Sequence, residues 1–510
     1  LPGWGIPDRP ARVAILNSVT LDATLAGTNL TFRGLPASTA QGPMTFTNRY
    51  WRVGPLDIRR PEGSARLVYE NDELTKDFRF DVQSTIDPLI VRPLLEEKVQ
   101  KEMDRVLLPL PPRVEGSVWG RWQSPELIGA QVHVTLTNAT VRGQPIEWAD
   151  GDVAYTNRVL TFRDVRAKSD GDAFVPGARY DIEAQRLWFS NAVANVPVGN
   201  VTRIIGPKTS ATMEPYRFER PPRATVDGVV AVRGGLGTDI RFGVEADDFR
   251  WWRLHATNVL AQLHVKDDTI AIEGLRGGFC GGRLGGDLFF DWSSPDKDTD
   301  YRLKLAVTNV SLREFLGDVW PKTNRLEGRV TGWGEVTSAN TRDPKSIVGK
   351  GTISMEDGYL WGLPIFGLFS PIFDTISPGL GQTRFTSGSA GYTLRDGKVD
   401  TRDFEMRSIA MRLRYRGSVS YEGNLDATME AALFRDAPLI GRLLSFALSP
   451  VTKLLEYRVE GTLSDPKPEP RYVPKILMNL LRPISMLRSL LPKGDKEEKA
   501  AETEKASPAP

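Results

Sequence analysis

The chain has 510 residues, of which 40% are hydrophobic and 25% charged, a balance that excludes an intrinsically disordered protein and suffices for several domains or one extended body. Lys plus Arg number 66 against 64 Asp plus Glu, and a formal net charge of +2 gives no support to a dedicated nucleic-acid binder. A single cysteine, Cys280, excludes an intramolecular disulfide, and three histidines (His133, His255, His264) are poor material for a transition-metal site, so neither metal nor cofactor is expected.

The 47 glycines and 36 prolines suit many strands joined by many turns. After the opening Leu1-Pro2-Gly3-Trp4, the segment Ser64 to Phe80 reads as two strands with Asn71-Asp72 at the turn. Pro88 to Leu108 contains an amphipathic helix through Glu96-Glu97-Lys98-Val99-Gln100-Lys101. Arg113-Val114-Glu115-Gly116-Ser117-Val118 then opens a phrase that returns around Gly228, Gly328 and Gly461, the signature of an internal repeat. A hairpin follows the first three copies, with Asn157-Arg158, Asp267-Asp268 and Asp396-Gly397 as its turn pairs.

Between these turns the apolar residues alternate. Val132, Val134 and Leu136 alternate with His133, Thr135 and Thr137; Tyr301, Leu303, Leu305 and Val307 with Arg302, Lys304 and Ala306; Leu425, Ala427, Met429 and Ala431 with Asp426, Thr428 and Glu430. Period two places one apolar and one polar face on each strand, as in an antiparallel sheet with a wet side. Ser311 is an N-cap for a short helix through Leu316 that ends before Pro321. Leu363 to Ile376 and Leu439 to Leu455 are more apolar. They read either as buried core helices or as membrane-contacting plugs, with Phe366, Phe369 and Phe373 as the contacts. Lys475 to Leu491 sets Ile476, Leu480 and Leu487 on one face of a basic amphipathic helix that touches a membrane or caps the last strand, and Lys493 to Pro510 reads as a disordered tail. No segment offers the roughly 18 consecutive apolar residues of a membrane-spanning helix.

The fold class expected is mainly β: an elongated, curved antiparallel sheet forming a repeating β-groove, with a few short helices at edges and ends. Five segments follow from the repeat: 1–110, 111–220, 221–322, 323–470 and 471–510. An apolar trough left open is complementary to an acyl chain, which neither offers nor needs hydrogen bonds. The candidate lining is Leu263, Val265, Ile270, Ile272, Leu288, Phe290, Leu303, Leu305, Leu413, Tyr415, Leu425 and Met429. Chemistry-bearing motifs are sparse. Glu115, Asp227, Glu327 and Glu460 precede the repeated glycines but belong to different units, so each reads as a solvated strand or turn residue. The run Gly277 to Gly286 lacks the Lys and Ser/Thr of a phosphate loop, and neither a Gly-x-Ser-x-Gly elbow nor a His-Glu-x-x-His pair occurs. Cys280 reads as a buried small residue and Trp251-Trp252 as sheet-surface or edge packing. No nucleophile–base set emerges, so an enzyme is not expected.

Gly349 to Pro466 resembles the C-terminal region shared by AsmA-like proteins, including the TamB and YhdP groups. The likeness rests on Gly349-Lys350-Gly351-Thr352-Ile353-Ser354-Met355-Glu356-Asp357-Gly358, on Trp361 to Gly367, on the hairpin at Asp396-Gly397, and on Val459 to Pro466. Ala256 to Trp292 is similar to the recurring repeat of that family. The resemblance implies a periplasmic protein anchored in the inner membrane through an N-terminal segment that this chain does not contain. It also implies that the protein holds or transfers phospholipid or a similar acyl lipid, contacts a membrane surface and envelope proteins, and supports outer-membrane biogenesis. The alternative is a non-enzymatic assembly factor for outer-membrane proteins that acts through exposed sheet edges.

Overall fold

Strands that alternate in polarity and end in residues tolerant of positive φ fold back on one another. In a computed structural model of the chain, strand accounts for 71% of the structure, and the 27 strands of the described residues join one antiparallel sheet that does not close into a barrel. The residues described are 17–32, 35–87, 89–90, 104, 106–141, 143–205, 213–232, 236–294, 298–319, 326–362, 364–367, 369–376, 378–434 and 451–474. Contacts divide the chain into two compact units, Leu1–Asp247 with Gln262–Asp267, and Asp248–Ala261 with Asp268–Pro510. This division is coarser than the five segments read from the repeat.

The first unit contains β1 (Leu21–Phe32), β2 (Leu35–Thr47), β3 (Tyr50–Arg60), β4 (Gly63–Asp72), β5 (Asp77–Ser84), β6 (Val106–Leu107), β7 (Arg113–Arg121), β8 (Ser124–Val141), β9 (Gln144–Thr156), β10 (Val159–Lys168), β11 (Asp172–Asp181), β12 (Arg186–Asn195), helix α1 (Val198–Ile205), β13 (Tyr216–Arg217) and β14 (Arg223–Ala231). The unit boundary falls within β15 (Asp239–Trp251) and β16 (Leu254–Lys266). The second unit contains β17 (Thr269–Phe279), β18 (Gly282–Asp291), β19 (Asp300–Ser311), helix α2 (Leu312–Val319), β20 (Glu327–Asn340), β21 (Val348–Tyr359), the short helices α3 (Pro364–Gly367) and α4 (Ser370–Ile376), and β22 (Phe385–Arg395). It ends with β23 (Lys398–Arg407), β24 (Met411–Ser420), β25 (Asn424–Phe434), β26 (Val451–Thr462) and β27 (Pro466–Tyr472).

Turn chemistry sets most of the register. Asn157 and Arg158 both take positive φ, 49° and 61°, and Thr156 pairs directly with Val159. Asp396 and Gly397 do the same at 52° and 71°. These are the two-residue turns whose twist matches the flanking strands. The turn expected at Asn71-Asp72 lies farther on: both residues end β4, and the Asp72 carboxylate accepts from Leu74 N (2.7 Å) and Thr75 N (3.3 Å) to shape residues 73–76 instead. Ser311 caps α2 as expected, its Oγ accepting from Glu314 N at 3.3 Å. Residues 451–455 of the apolar segment Leu439–Leu455 are strand, not helix, and pair with β25. Most of the Pro88–Leu108 helix, residues 439–450, and the C-terminal helix with Ile476, Leu480 and Leu487 lie outside the described residues.

The repeated glycine has a steric cause. Gly228 has φ +122°, and a Cβ there would stand 2.2 Å from the carbonyl oxygen of Asp239 on the neighbouring strand. Gly54, at φ +113°, would bring a Cβ to 2.3 Å from the Leu67 oxygen. Only glycine permits that backbone conformation together with such an approach. We expect Gly228→Ala to lower stability by about 2 kcal/mol or more. Gly143→Ala, at φ +79° with open space around it, is expected to cost only about 1–2 kcal/mol. Denaturant midpoints of the two variants check the difference.

Candidate functional site

Residues directly opposite one another on antiparallel strands project to the same face, so the ladders identify each face without reference to overall shape. In the first unit one row runs Leu56–Leu67–Val82–Gly116–Val132–Val153–Phe162–Ala178–Phe189–Gly228–Ile240. A second runs Met44–Val53–Tyr69–Phe80–Val118–Ala130–Tyr155–Leu160–Tyr180–Leu187–Val230. With neighbouring strands about 4.8 Å apart, the first row covers about 48 Å measured along the sheet. Leu56, Leu67, Val82, Val132, Val153, Phe162 and Phe189 are all only half-buried. A second layer packed on this face would have buried them fully.

The second unit continues the pattern on its own strands. Ile272 pairs with Leu288, Leu288 with Leu303 and Leu303 with Val336; Ile270 pairs with Phe290 and Phe290 with Tyr301. The expected lining residues Ile270, Ile272, Leu288, Phe290, Leu303 and Leu305 are half-buried, as are Leu263 and Val265 of the first unit. The ladders add members that alternation alone missed. Gly274, at φ +60°, sits where the register between β17 and β18 shifts, so Leu275 and Phe279 take the apolar face where strict alternation would have placed Gly274 and Arg276. Ile353 lies in the same layer opposite Gly332 and is 42% exposed. A recurring Asn with positive φ, followed by a buried residue, also escaped notice: Asn138-Ala139, Asn191-Ala192, Asn258-Val259 and Asn309-Val310.

Four expected lining residues have a different environment. Leu413 and Met429 are fully buried, and Tyr415 and Leu425 nearly so, within a core closed by α3 and α4. Phe366, Phe369 and Phe373 supply that closure: at 3%, 0% and 0% exposure they face the core, and the membrane contact expected of them is replaced by packing on Tyr415, Tyr457 and Trp361. Trp361 Nε1 donates to Thr383 O at 2.8 Å and Ser370 Oγ to Gly381 O at 2.8 Å, which ties the two ends of the β21–β22 connection to each other. Burial pushes the Tyr415 phenol well above its usual range.

Burial, and then the Tyr301 phenol, raise the Tyr421 phenol. Among the described residues, Tyr421 OH and Thr401 Oγ1 are buried without a hydrogen-bond partner.

The opposite face is ionic. Arg79 Nη2 stands 2.9 Å from Asp81, Arg121 Nε 2.8 Å from Asp77, and Arg384 Nη1 2.7 Å from Glu327. His133 bridges Asp152 (2.8 Å) and Asp150 (3.0 Å), and the Asp152 hydrogen bond leads the causes that raise its imidazole. The acidic residues before the repeated glycines each have a local partner: Glu115 accepts from Gln83, Asp227 from Asn191 N, Glu327 from Arg384, and Glu460 pairs with Arg458. Cys280 occupies the β17–β18 turn, where burial, followed by Asp318 and Glu314, pushes its thiol up to about 11. Such a thiol carries almost no thiolate near neutral pH. Among the described residues no group of His, Cys, Asp and Glu is arranged to hold a metal, and no helix is long and apolar enough to cross a membrane.

The fold and site thus define an antiparallel β protein whose sheet is apolar on one face and ionic on the other. No protein-family model matches the sequence, and no curated protein is significantly similar to it.

Two expectations follow. Phe373→Ala should cost about 3–5 kcal/mol, whereas Ile272→Ala on the half-open face should cost about half as much or less, as read from equilibrium denaturation. Glu405 is opposed by burial but held below the usual carboxylate range by Arg414 (2.6 Å) and Arg407 (2.5 Å). A depressed carboxylate contributes stability that is complete above its unfolded pKa, near 4.3, and is lost as pH falls through the folded value. The Glu405→Gln variant is therefore expected to lose less stability than the parent between about pH 5 and pH 2 in denaturant titrations.

Proposed function

We propose that this protein is a non-enzymatic lipid-binding and lipid-transfer component of the cell envelope that shields acyl chains on the apolar face of its sheet. The observation that carries this is the rows of apolar side chains that stay only part-buried, Leu56, Leu67, Val82, Val132, Val153, Phe162 and Phe189 in one unit and Ile270, Ile272, Leu288, Phe290, Leu303 and Val336 in the other. Apolar surface left in water costs about 25 cal/mol per Å², and an occupant that itself needs no hydrogen bonds removes that cost. Binding would be passive, with each CH₂ shielded contributing about 0.8 kcal/mol. The resemblance to AsmA-like proteins supports a periplasmic location, an inner-membrane anchor preceding this segment and a role in outer-membrane biogenesis, with phospholipid or a similar acyl lipid as the ligand.

The competing role, assembly of outer-membrane proteins by strand addition, draws no support from β27. Thr462 and Asp465 exchange both backbone hydrogen bonds, so Pro466 and Pro468 fall at positions whose backbone nitrogens point away from β26. The outer edge of β27 therefore lacks N–H donors at alternate residues, a known way of blocking strand addition.

Native mass spectrometry and lipid extraction of the purified chain test the proposal. Bound acyl lipid is expected, and Leu305→Asp or Phe290→Asp should reduce it at least tenfold while circular dichroism stays unchanged, because a carboxylate on the apolar face resists desolvation. A folded parent protein that carries and takes up no lipid would sink the proposal.

A further inference from the structure

The hairpin tip joining β15 and β16 reads Arg250-Trp251-Trp252-Arg253. Its tryptophans are 49% and 69% exposed, Trp252 takes φ 54°, and the Arg253 guanidinium lies 6.0 Å from the centre of the Trp252 ring. Two adjacent indoles this exposed contribute little to folding. The sequence leaves sheet-surface placement and edge packing open, and edge packing would have buried them. Indoles flanked by arginines are the chemistry of a membrane–water interface, where the ring sits among the headgroups and the guanidinium meets phosphate.

The tip also borders an open cavity of about 1140 Å³ in the second unit, lined among others by Arg250, Arg253, Arg313, Glu314 and Asp318. Arg250 pairs with Asp248 at 3.6 Å, and Asp248 also contacts His255, which lines the same cavity. The Arg313 side chain is 68% exposed, with Glu327 at 4.0 Å. Guanidiniums and carboxylates in one cavity suit a ligand carrying both signs of charge: a phosphate for the arginines and an ammonium for Glu314 and Asp318. We infer that the Arg250–Arg253 tip docks on a phospholipid bilayer and that the cavity beside it receives a zwitterionic headgroup bearing a primary amine. The inference is independent of whether the apolar face carries lipid.

Co-flotation of the purified 510-residue chain with vesicles tests it, using phosphatidylcholine alone, phosphatidylcholine with phosphatidylethanolamine, and phosphatidylcholine with phosphatidylglycerol. The parent is expected to float with all three and best with the phosphatidylethanolamine mixture. Trp251→Ser/Trp252→Ser should weaken partitioning about tenfold or more, whereas Trp333→Ser, a mid-strand indole that is 38% exposed, should not. Glu314→Gln/Asp318→Asn should remove the phosphatidylethanolamine preference but retain binding to phosphatidylcholine. Arg253→Glu, which leaves both indoles in place, should also weaken flotation and serves if the tryptophan variant does not fold. Failure of the parent to float, or undiminished flotation of the folded tip variants, overturns the docking surface. A preference for phosphatidylglycerol over phosphatidylethanolamine overturns the headgroup assignment. Tip variants should keep any lipid held on the apolar face, so this result and the groove result can fail separately.

Discussion

Cross-strand register is the constraint on which everything else in this protein depends. A face stays apolar across many strands only if each ladder keeps its apolar residues opposite one another, because a slip of one residue turns a whole strand over. The ladders here nevertheless contain shifts: between Val53 and Leu56, Arg163 and Arg166, Phe189 and Ala192, Ile272 and Leu275, and Val307 and Val310. Each interval contains a residue with positive φ, namely Gly54, Asp164, Asn191, Gly274 and Asn309. An extra residue in one strand would by itself invert the alternation. Placing a residue of the interval in the left-handed region absorbs the insertion and returns the next apolar side chain to its original face. Glycine, asparagine and aspartate are the residues that tolerate this conformation, which is why they recur along these strands.

The sheet handles its apolar side in two ways. Over β21 to β26 the chain supplies its own cover, with Phe369, Ile372 and Phe373 completely buried against Met406, Leu413, Met429 and Tyr457. Over β17 to β19 the described residues form no such core; Phe315 of α2 lies against Phe279, and Ile272, Leu288 and Leu303 keep part of their area in water. The difference lies in the connections. The β21–β22 connection is long enough to hold two helices, whereas β17 and β18 are joined by Cys280 and Gly281 alone. A tight turn brings no side chains to cover a face, so what lies over β17–β19 must come from outside that hairpin.

Much of this was legible in the sequence. Period-two alternation identified the strands, and Asn157-Arg158 and Asp396-Gly397 identified turns, because both signals are local. The face assignment of Ile270, Ile272, Leu288 and Leu305 followed from the same alternation. What escaped depends on neighbours distant in sequence. Leu413 and Met429 alternate just as Leu303 and Leu305 do, and only the helical segment 364–376 separates a packed residue from an open one. Leu275 and Phe279 were missed because one glycine with positive φ resets the count. The Trp251-Trp252 pair reads from the sequence as sheet-surface or edge packing, because alternation alone does not show where the hairpin tip falls. Its exposure follows from falling on a hairpin tip, and a shift of two or three residues in the turn would have changed that.

The charge pattern bears on how a ligand would arrive. The chain carries 66 basic and 64 acidic side chains, yet its net charge is only +2. On the polar face these charges neutralise one another locally, as with Arg79 and Asp81, Arg121 and Asp77, and Arg384 and Glu327. Paired charges cast little field beyond a Debye length of about 8 Å at physiological salt. Long-range steering therefore has almost nothing to act through, and an acyl chain, being uncharged, would not respond to it. Under the proposed function, capture on the apolar face would begin with contact, close to a surface where acyl chains are already concentrated. An exposed aromatic and arginine tip meets that need in a way the paired ionic face cannot, since it works at contact range and loses little to salt. The neutral balance of the sequence and the exposure of Trp251 and Trp252 agree with the proposed docking: little directing field, and a hairpin tip suited to touch a bilayer.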